Sequence, residues 1–372
     1  MTVHADDAGG ITVVVPTFQR ASLLRQCLAS IVAQWDAADR IVVVNDGSSD
    51  ETDQVARSFG ERVTLLTREN GGFSRAANDG LSRVTTDYVW TFGDDDVMLP
   101  GAMARMRAVL DHDASVEFCI GTWEGATRIH PTAPSVGTGG IQAIPDLSER
   151  GALPLLFESN YLNGGGMLAR TRMLRELGGF DVRYTRSQDY HLAVRAALRH
   201  RFSVLSGAPV MLYTQHVMSR GSTHEPVPAR AVFLKWLKFD QWIYHELIAP
   251  LPDDAFSEPA ARHEPHAGLA LINRARAAAS KLLTVQTIDA LVTRCTRLPS
   301  VPLSALEATR LAELPRLGSW YTLGSVADDP VFWNVVRTLP SLGLAGGSIR
   351  TLLERGRTSR VRRSAQVLRR GY

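Results

Sequence analysis

Four short runs of β-branched and aromatic residues dominate the first hundred positions. They are "ITVVVP" (Ile11–Pro16), "IVVV" (Ile41–Val44), "RVTLLT" (Arg62–Thr67) and "DYVWTF" (Asp87–Phe92). Each is apolar at consecutive rather than alternate positions, the pattern of a strand covered on both faces. Helical periodicity fills the intervals. "ASLLRQCLASIVAQ" (Ala21–Gln34) puts Leu23, Leu24, Cys27, Leu28 and Ile31 on one face. A second helix runs to about Phe59, with Ser49, Thr52 and Asp53 as its start signal. "FSRAANDGLSRVT" is a third. Strands alternating with helices of this length predict a mostly parallel, doubly wound α/β sheet. Ligands of such sheets bind beyond the carboxyl ends of the strands.

Three polar clusters occupy those ends: Thr17–Arg20 after the first strand, Asn45–Asp50 after the second, and Asp94–Asp96 after the fourth. All three are expected to open onto one crevice. Three consecutive carboxylates repel one another. A divalent cation, which takes carboxylate and phosphate oxygens, would relieve that repulsion; an acidic turn capping the next helix is the plainer alternative. Asn45 and Asp46 suit the edge of a nucleobase or ribose; the alternative, turn and N-cap chemistry, fits Ser48 and Ser49 better than Asp46.

The rest of the chain bounds the function. With 372 residues, 45% hydrophobic and 21% charged, it is long enough for one large domain or two ordinary ones. A net charge of +3 gives no argument for nucleic acid. Cys27, Cys119 and Cys295 are widely spaced and odd in number, which predicts a reducing, cytoplasmic setting without a disulfide framework. The N-terminus lacks the pattern of a signal peptide, and no apolar run is long enough to span a membrane. The expectation is a soluble protein, or one lying on the inner face of the plasma membrane. Residues 121–147, rich in Pro, Gly and Thr, read as loops or hairpins over a site. "SQDYHLAVRAALRH" reads as a helix and "FSVLSGAPVMLYTQH" as a strand. Beyond about Pro228 helical periodicity replaces strand signals. This predicts a domain over 1–228 and a helical domain over 229–372, with aromatics at Phe233, Trp236, Phe239, Trp242 and Tyr244 and an arginine-rich tail from Arg350. That tail suits either an anionic lipid surface or a solvated end.

Five motifs in order then carry a resemblance: "VVVPTFQRASLLRQCLASIVAQ", "IVVVNDGSSDET", "NGGFSRAANDGL", "WTFGDDDVMLP" and, downstream, "ELGGFDVRYTRSQDYHLAVRAA". Over roughly 11–220 the chain resembles family 2 glycosyltransferases, inverting enzymes with the GT-A fold. The resemblance implies a Rossmann-like nucleotide-sugar half over 11–118 and an acceptor half over 119–228. It also implies a nucleotide-sugar donor, a UDP-sugar before others, and a glycan, lipid-linked or small-molecule acceptor. The cofactor implied is Mn²⁺ or Mg²⁺, and the setting is cell-envelope polysaccharide synthesis, with oligomers allowed.

Residue by residue, the resemblance implies a nucleoside pocket at Pro16, Thr17 and Phe18. It implies donor contacts at Arg20, Asn45, Asp46, Asn70, Gly71 and Arg75, and a base at Asp189, in a position where the family has the Asp of a Glu-Asp pair. The family's Asp-X-Asp is met by Gly93, Asp94 and Asp95, so Asp95 and Asp94 are the metal candidates, Asp94 serving ribose as well. His216 is a third metal candidate, and Asp96 and Gln188 are supporting residues. Gly93 replaces the first family aspartate and Gln188 the glutamate. Those departures keep two rivals open: a catalytically silent GT-A binding protein, and a nucleotidyltransferase, although "PTFQRAS" lacks the Gly-rich basic loop the latter needs.

Overall fold

The computed structural model describes residues 9–127, 135–142, 144–162, 164–214, 229–259, 268–317, 325–343 and 345–355. Two sheets hold its strands. They are β1 (Ile11–Thr17), β2 (Arg40–Asn45), β3 (Val63–Thr67), β4 (Tyr88–Thr91), β5 (Val97–Met98), β6 (Val116–Gly121), β7 (Trp123–Thr127), β8 (Val136–Gln142), β9 (Met167–Arg170), β10 (Arg201–Leu205) and β11 (Met211–Thr214). The larger sheet has the order β10-β6-β9-β4-β1-β2-β3. Strands β4, β1, β2 and β3 are mutually parallel, with Thr17 beside Asn45 and Val14 beside Thr91. β9 runs antiparallel to both β4 and β6, so the sheet is mixed at its middle. That reversal brings the residues just before Met167 to the carboxyl end of β4.

Every residue of β1 is buried, as its uninterrupted apolar run requires. Its alternate residues Ile11, Val13 and Val15 pack with Leu24, Cys27, Leu28 and Ile31 of α1 (Ala21–Val32) and with Trp90. The short α2 (Thr52–Arg57) and α3 (Phe73–Leu81) follow β2 and β3, and α4 (Ala102–His112) adds Met103, Met106 and Leu110 to the same core. Ser49, expected to start α2, does not cap it; its hydroxyl accepts from Gln19 Nε2 at 2.8 Å.

The smaller sheet, β5-β11-β7-β8, is where local pattern was least informative. The β7–β8 hairpin falls within the segment expected to hold loops or hairpins. The stretch expected as one strand near 202–216 is two strands in different sheets, β10 and β11, broken by a turn with Gly207 at φ +93°.

The chain forms two compact units by its internal contacts. Unit one takes the two sheets with α1–α4, α7 (Thr171–Glu176) and α8 (Gln188–Ala197). Unit two takes the chain from Pro228 together with Pro145–Tyr161, a stretch expected to lie in the acceptor half. The latter holds α5 (Leu147–Arg150) and α6 (Ala152–Glu158). The remaining helices are α9 (Ala229–Ile243), α10 (Gly268–Ala279), α11 (Thr284–Arg297), α12 (Ala305–Glu313) and α13 (Pro330–Val336). Ile272, Leu291, Leu311, Phe332 and Trp333 form that unit's own core. No helix among the described residues is long and apolar enough to cross a membrane.

Candidate active site

Hydrogen bonds sew the loops after β1, β2, β3 and β4 into one edge. The Asp46 amide donates to Thr17 O at 2.9 Å and the Arg68 amide to Asn45 O at 3.0 Å, carrying the parallel pairing past the strand ends. Gln19 N–H donates to Ser48 Oγ at 2.9 Å. Arg20 then crosses to the acidic turn, its Nη1 lying 2.8 Å from Asp94 Oδ1 and 2.9 Å from Asp95 Oδ2.

Asp46 is buried and fully engaged. Its carboxylate accepts from the amides of Gly71 at 2.9 Å and Gly72 at 2.7 Å and from Asn70 Nδ2 at 3.2 Å. Arg68 Nε stands 3.3 Å away. Gly72 takes φ +87°, a conformation open to glycine, and thereby turns its N–H toward Asp46. Asp46 thus fixes the loop before α3, the same loop that carries Asn70, Gly71 and, one turn on, the exposed Arg75. Asn45 is committed as well: its Nδ2 donates to Asp53 at 2.6 Å and its Oδ1 accepts from the Ser48 amide at 2.8 Å.

In the acidic turn the three aspartates divide. Asp96 is buried and accepts from the Thr214 amide at 3.0 Å, tying the turn to β11. Asp94 is also buried; burial raises its pKa, against the opposing pull of Arg20. The Arg20 guanidinium is correspondingly held in its charged form, chiefly by Asp94. Asp95 is the more open partner of Arg20. Gly93 has a steric reason to lack a side chain, since a Cβ there would lie 2.8 Å from Asp96 Oδ2 and 2.9 Å from Asp95 Oδ1. Pro16 and Thr17 are buried at the end of β1 and Phe18 is half-buried. The Thr17 side chain lies beside the Asp94 carboxylate, whose pKa it helps to lower against the effect of burial.

Asp189 occupies the first turn of α8 and is half-buried. A Cβ on Gly164 would lie 2.9 Å from the Asp189 Cβ. Gly164–Gly166 precedes β9 directly, and Trp90 of β4 donates to Gly165 O at 2.7 Å. Asp189 therefore lies at the carboxyl edge of the same sheet. Beside it, Gln188 Oε1 is buried without a hydrogen-bond partner. His191 is a stacked core residue, its ring 4.1 Å from that of Tyr184. His216 lies outside the described residues.

Three residues of this edge went unread in the sequence. Arg68 follows β3, so the strand-end rule that selected the other clusters would have selected it too. Gln19 and Ser187 have φ of +55° and +54°. Left-handed backbone at non-glycine residues costs on the order of 1–2 kcal/mol and collects at functional sites. These two flank the Arg20 contact and the candidate base. No side-chain pattern announces them.

Two oxygens from separate carboxylates that converge on one cationic nitrogen describe a cation site. Asp94 and Asp95 are hard oxygen donors of the kind Mg²⁺ and Mn²⁺ take, with phosphate oxygens completing the shell. The residues present fit such an ion.

A mixed sheet ordered in this way, with its acidic turn after β4 and its polar loops at one edge, defines the GT-A class of nucleotide-sugar folds. The comparisons agree. Residues 12–136 match the family described as Glycosyl transferase family 2. An uncharacterized glycosyltransferase of Rickettsia felis is 27% identical over 203 residues, 54% of this chain and 32% of its own length. Glycosyltransferase GlyA of Streptococcus pneumoniae is 43% identical over 89 residues, 23% of this chain and 13% of its own. The chain thus spans about a third or less of the length of the curated relatives it matches first. Among solved structures, S. aureus TarS 1–349 in complex with UDP-GlcNAc aligns with a TM-score of 0.51 at 16% identity, covering 94% of this chain and 92% of that one. The family match over 12–136 takes in the first four of the five motifs, and the solved structure agrees in fold.

Proposed function

We propose that this chain is an inverting glycosyltransferase that moves a sugar from a nucleoside-diphosphate donor, a UDP-sugar first, to a hydroxyl of a glycan, lipid-linked or small-molecule acceptor. The observation that carries the reading is the single edge on which Asp94, Asp95, Arg20 and the loop gripped by Asp46 meet, with Asp189 at the same end of the sheet. The S. aureus structure with UDP-GlcNAc supports a UDP-sugar donor.

In the proposed chemistry Asp189 takes the proton of the acceptor hydroxyl as that oxygen bonds to the anomeric carbon. The bond from that carbon to the donor phosphate breaks, its electron pair leaving on the nucleoside diphosphate. One displacement inverts the configuration. The base must sit on the face opposite the leaving group and within hydrogen-bond reach of the hydroxyl. Gln188, with its uncommitted amide oxygen, stands beside it to orient the acceptor. The loop of Asn70 to Gly72, held by Asp46, supplies a backbone wall for the nucleoside, and Thr17 and Phe18 supply its floor. Asp94 and Asp95 would hold Mn²⁺ or Mg²⁺, which would supply Lewis-acid stabilisation of the departing diphosphate worth several kcal/mol of barrier.

The test is transfer or donor hydrolysis with Mn²⁺ across a panel of nucleotide sugars, in wild type and Asp189→Asn. Turnover of the variant should fall by about 10²–10⁴-fold while UDP affinity stays within twofold. Wild-type turnover in Asp189→Asn would remove Asp189 from the base role. The arginine-rich end, outside the described residues from 356, is proposed as the contact with anionic lipid near a lipid-linked acceptor. On this reading the protein works in the cytoplasm at the inner membrane face.

A further inference from the structure

The loop gripped by Asp46 and the segment that leads to Asp189 are fastened to each other through α3. That helix starts at Phe73, directly after the two glycines whose amides Asp46 holds. Within it, the side-chain amide of Asn78 makes two bonds to the backbone of one residue, Phe180. Its Nδ2 donates to Phe180 O at 2.8 Å, and its Oδ1 accepts from the Phe180 amide at 2.9 Å. A carboxamide donates and accepts at once, so it serves here as a neighbouring strand would. Ser74 lies one turn earlier on the same face of α3. Its hydroxyl donates to Tyr184 O at 3.1 Å.

The segment held in this way, residues 178–187 between α7 and α8, belongs to no strand or helix. Phe180 and Tyr184 are nevertheless buried. Buried backbone groups need partners, and Asn78 supplies both of those of Phe180. Gly178 and Gly179, at φ of +72° and +69°, bring the chain close to α3. A Cβ on Gly179 would lie 2.5 Å from Asn78 Oδ1. From Tyr184 the hold passes to α8. The Tyr184 ring stacks on that of His191, with centroids 4.1 Å apart. The His191 amide in turn donates to Ser187 O at 2.9 Å and closes the first turn, the turn that carries Asp189.

We propose that Asn78, with Ser74 beside it, is a positioning residue for the transfer step: it sets where α8 presents Asp189 relative to the loop built on the start of α3. This rests on the reading of Asp189 as the base. Neither Asn78 nor Ser74 has to touch donor or acceptor. A base acts only within hydrogen-bond reach of the hydroxyl it deprotonates. A misplacement of about 1 Å, caused far from the chemistry, costs on the order of a hundredfold in rate. Without the Asn78 amide both backbone groups of Phe180 lose their partner, and the segment must move to satisfy them. Tyr184 moves with it, and the first turn of α8 follows. The loop of Asn70 to Gly72 keeps its own clamp at Asp46, so nucleotide binding survives while the base is displaced.

Two measurements on the full chain test this. Amide hydrogen exchange needs no substrate: in Asn78→Ala it should quicken about tenfold at His191, while β1 and Leu198, at the far end of α8, stay within about twofold of wild type. Ser74→Ala, the milder change, should shift His191 in the same direction by about threefold and serves if Asn78→Ala does not fold. Unchanged exchange at His191, or an equal rise at β1 and Leu198, overturns the proposal. The second measurement is a double-mutant cycle with a donor found in the nucleotide-sugar panel. Asn78→Ala should lower kcat by about 10–100-fold with UDP affinity within about twofold. In the Asp189→Asn background the same change should cost less than about twofold, because a residue acting through the base has nothing left to place. Equal losses in the two backgrounds overturn the proposal. Wild-type turnover in Asp189→Asn overturns the base reading instead, and the exchange result, which needs no turnover, tells the two failures apart.

Discussion

Glu158 is the most exposed wager in the second unit, because three cations lean on it. It ends α6, and its carboxylate pairs with Arg150 and accepts from Arg276 Nε at 2.8 Å and Nη2 at 3.1 Å. Its main-chain oxygen accepts from Lys281 Nζ at 3.1 Å. Arg276, Lys281 and Glu158 are all buried. Glu158→Gln keeps the shape and removes the charge. Breaking a buried ion pair from one side costs about 3–5 kcal/mol, because the partner is left desolvated and uncompensated. Here Arg276 retains Glu313 at 3.0 Å and Arg150 retains Glu258 at 3.4 Å. Those surviving partners place the loss near the lower bound, about 3 kcal/mol. That is on the order of a hundredfold in the opening equilibrium.

Because the chain has two units, one global unfolding curve would mix them. Amide hydrogen exchange reads them separately. Protection across α6 and α10 should fall by about a hundredfold in Glu158→Gln, while the amides of β1 and β2 keep theirs. Exchange in α10 within threefold of wild type would refute the idea that this ion cluster holds the unit together. The pH dependence carries a definite sign. Burial pushes the Glu158 pKa up, but Arg276 and Arg150 outweigh it, and the folded-state value lies below the ordinary 4.5. A carboxylate depressed on folding contributes its stability above the unfolded value and loses it as pH falls through the folded one. The gap between wild type and Glu158→Gln is therefore full at neutral pH and closes only in acid below about 4.5. Urea midpoints followed at several pH values would show it.

Two further perturbations probe the boundary and the acidic turn. A fragment ending at residue 228 should be insoluble, because it strands Leu155, Leu156, Phe157 and Glu158 of α6 without α10; replacing 145–161 with a Gly-Ser linker of equal length should restore solubility, read by size-exclusion chromatography. Gly93→Asp makes the turn look more like the family pattern yet should lower the melting temperature and weaken Mn²⁺-dependent UDP binding. Its Cβ would press on Asp95 and Asp96, an overpacking cost of about 1–3 kcal/mol; tighter binding in calorimetry would show the crowding reasoning to be wrong.

The strand-and-helix plan of the first hundred residues was legible because the parallel strands are buried on both faces, which leaves unbroken apolar runs such as that of β1. The convergence of Thr17, Asn45 and Asp94 was legible for the same reason: parallel order puts every strand end on one edge. What stayed hidden is what depends on distant pairing. β9 gives no local sign that it runs against β4 and β6, yet that reversal is what delivers Gly164, and with it Asp189, to the edge where the aspartates stand. The stretch 145–161 looked like part of the acceptor half because sequence position is a poor guide to which core a segment joins. Arg150 and Glu158 on it find their partners more than a hundred residues away, at Glu258 and Arg276. Charged residues spaced along a short helix read as solvated until their partners are known. Asp46 makes the same point within the site itself. Its place at a strand end suggested a hand extended to the nucleotide, and it grips the loop of Asn70 to Gly72 instead. On the proposed function, donor recognition at this edge would depend on a backbone loop whose shape a buried carboxylate maintains, as well as on the side chains proposed to face the ligand.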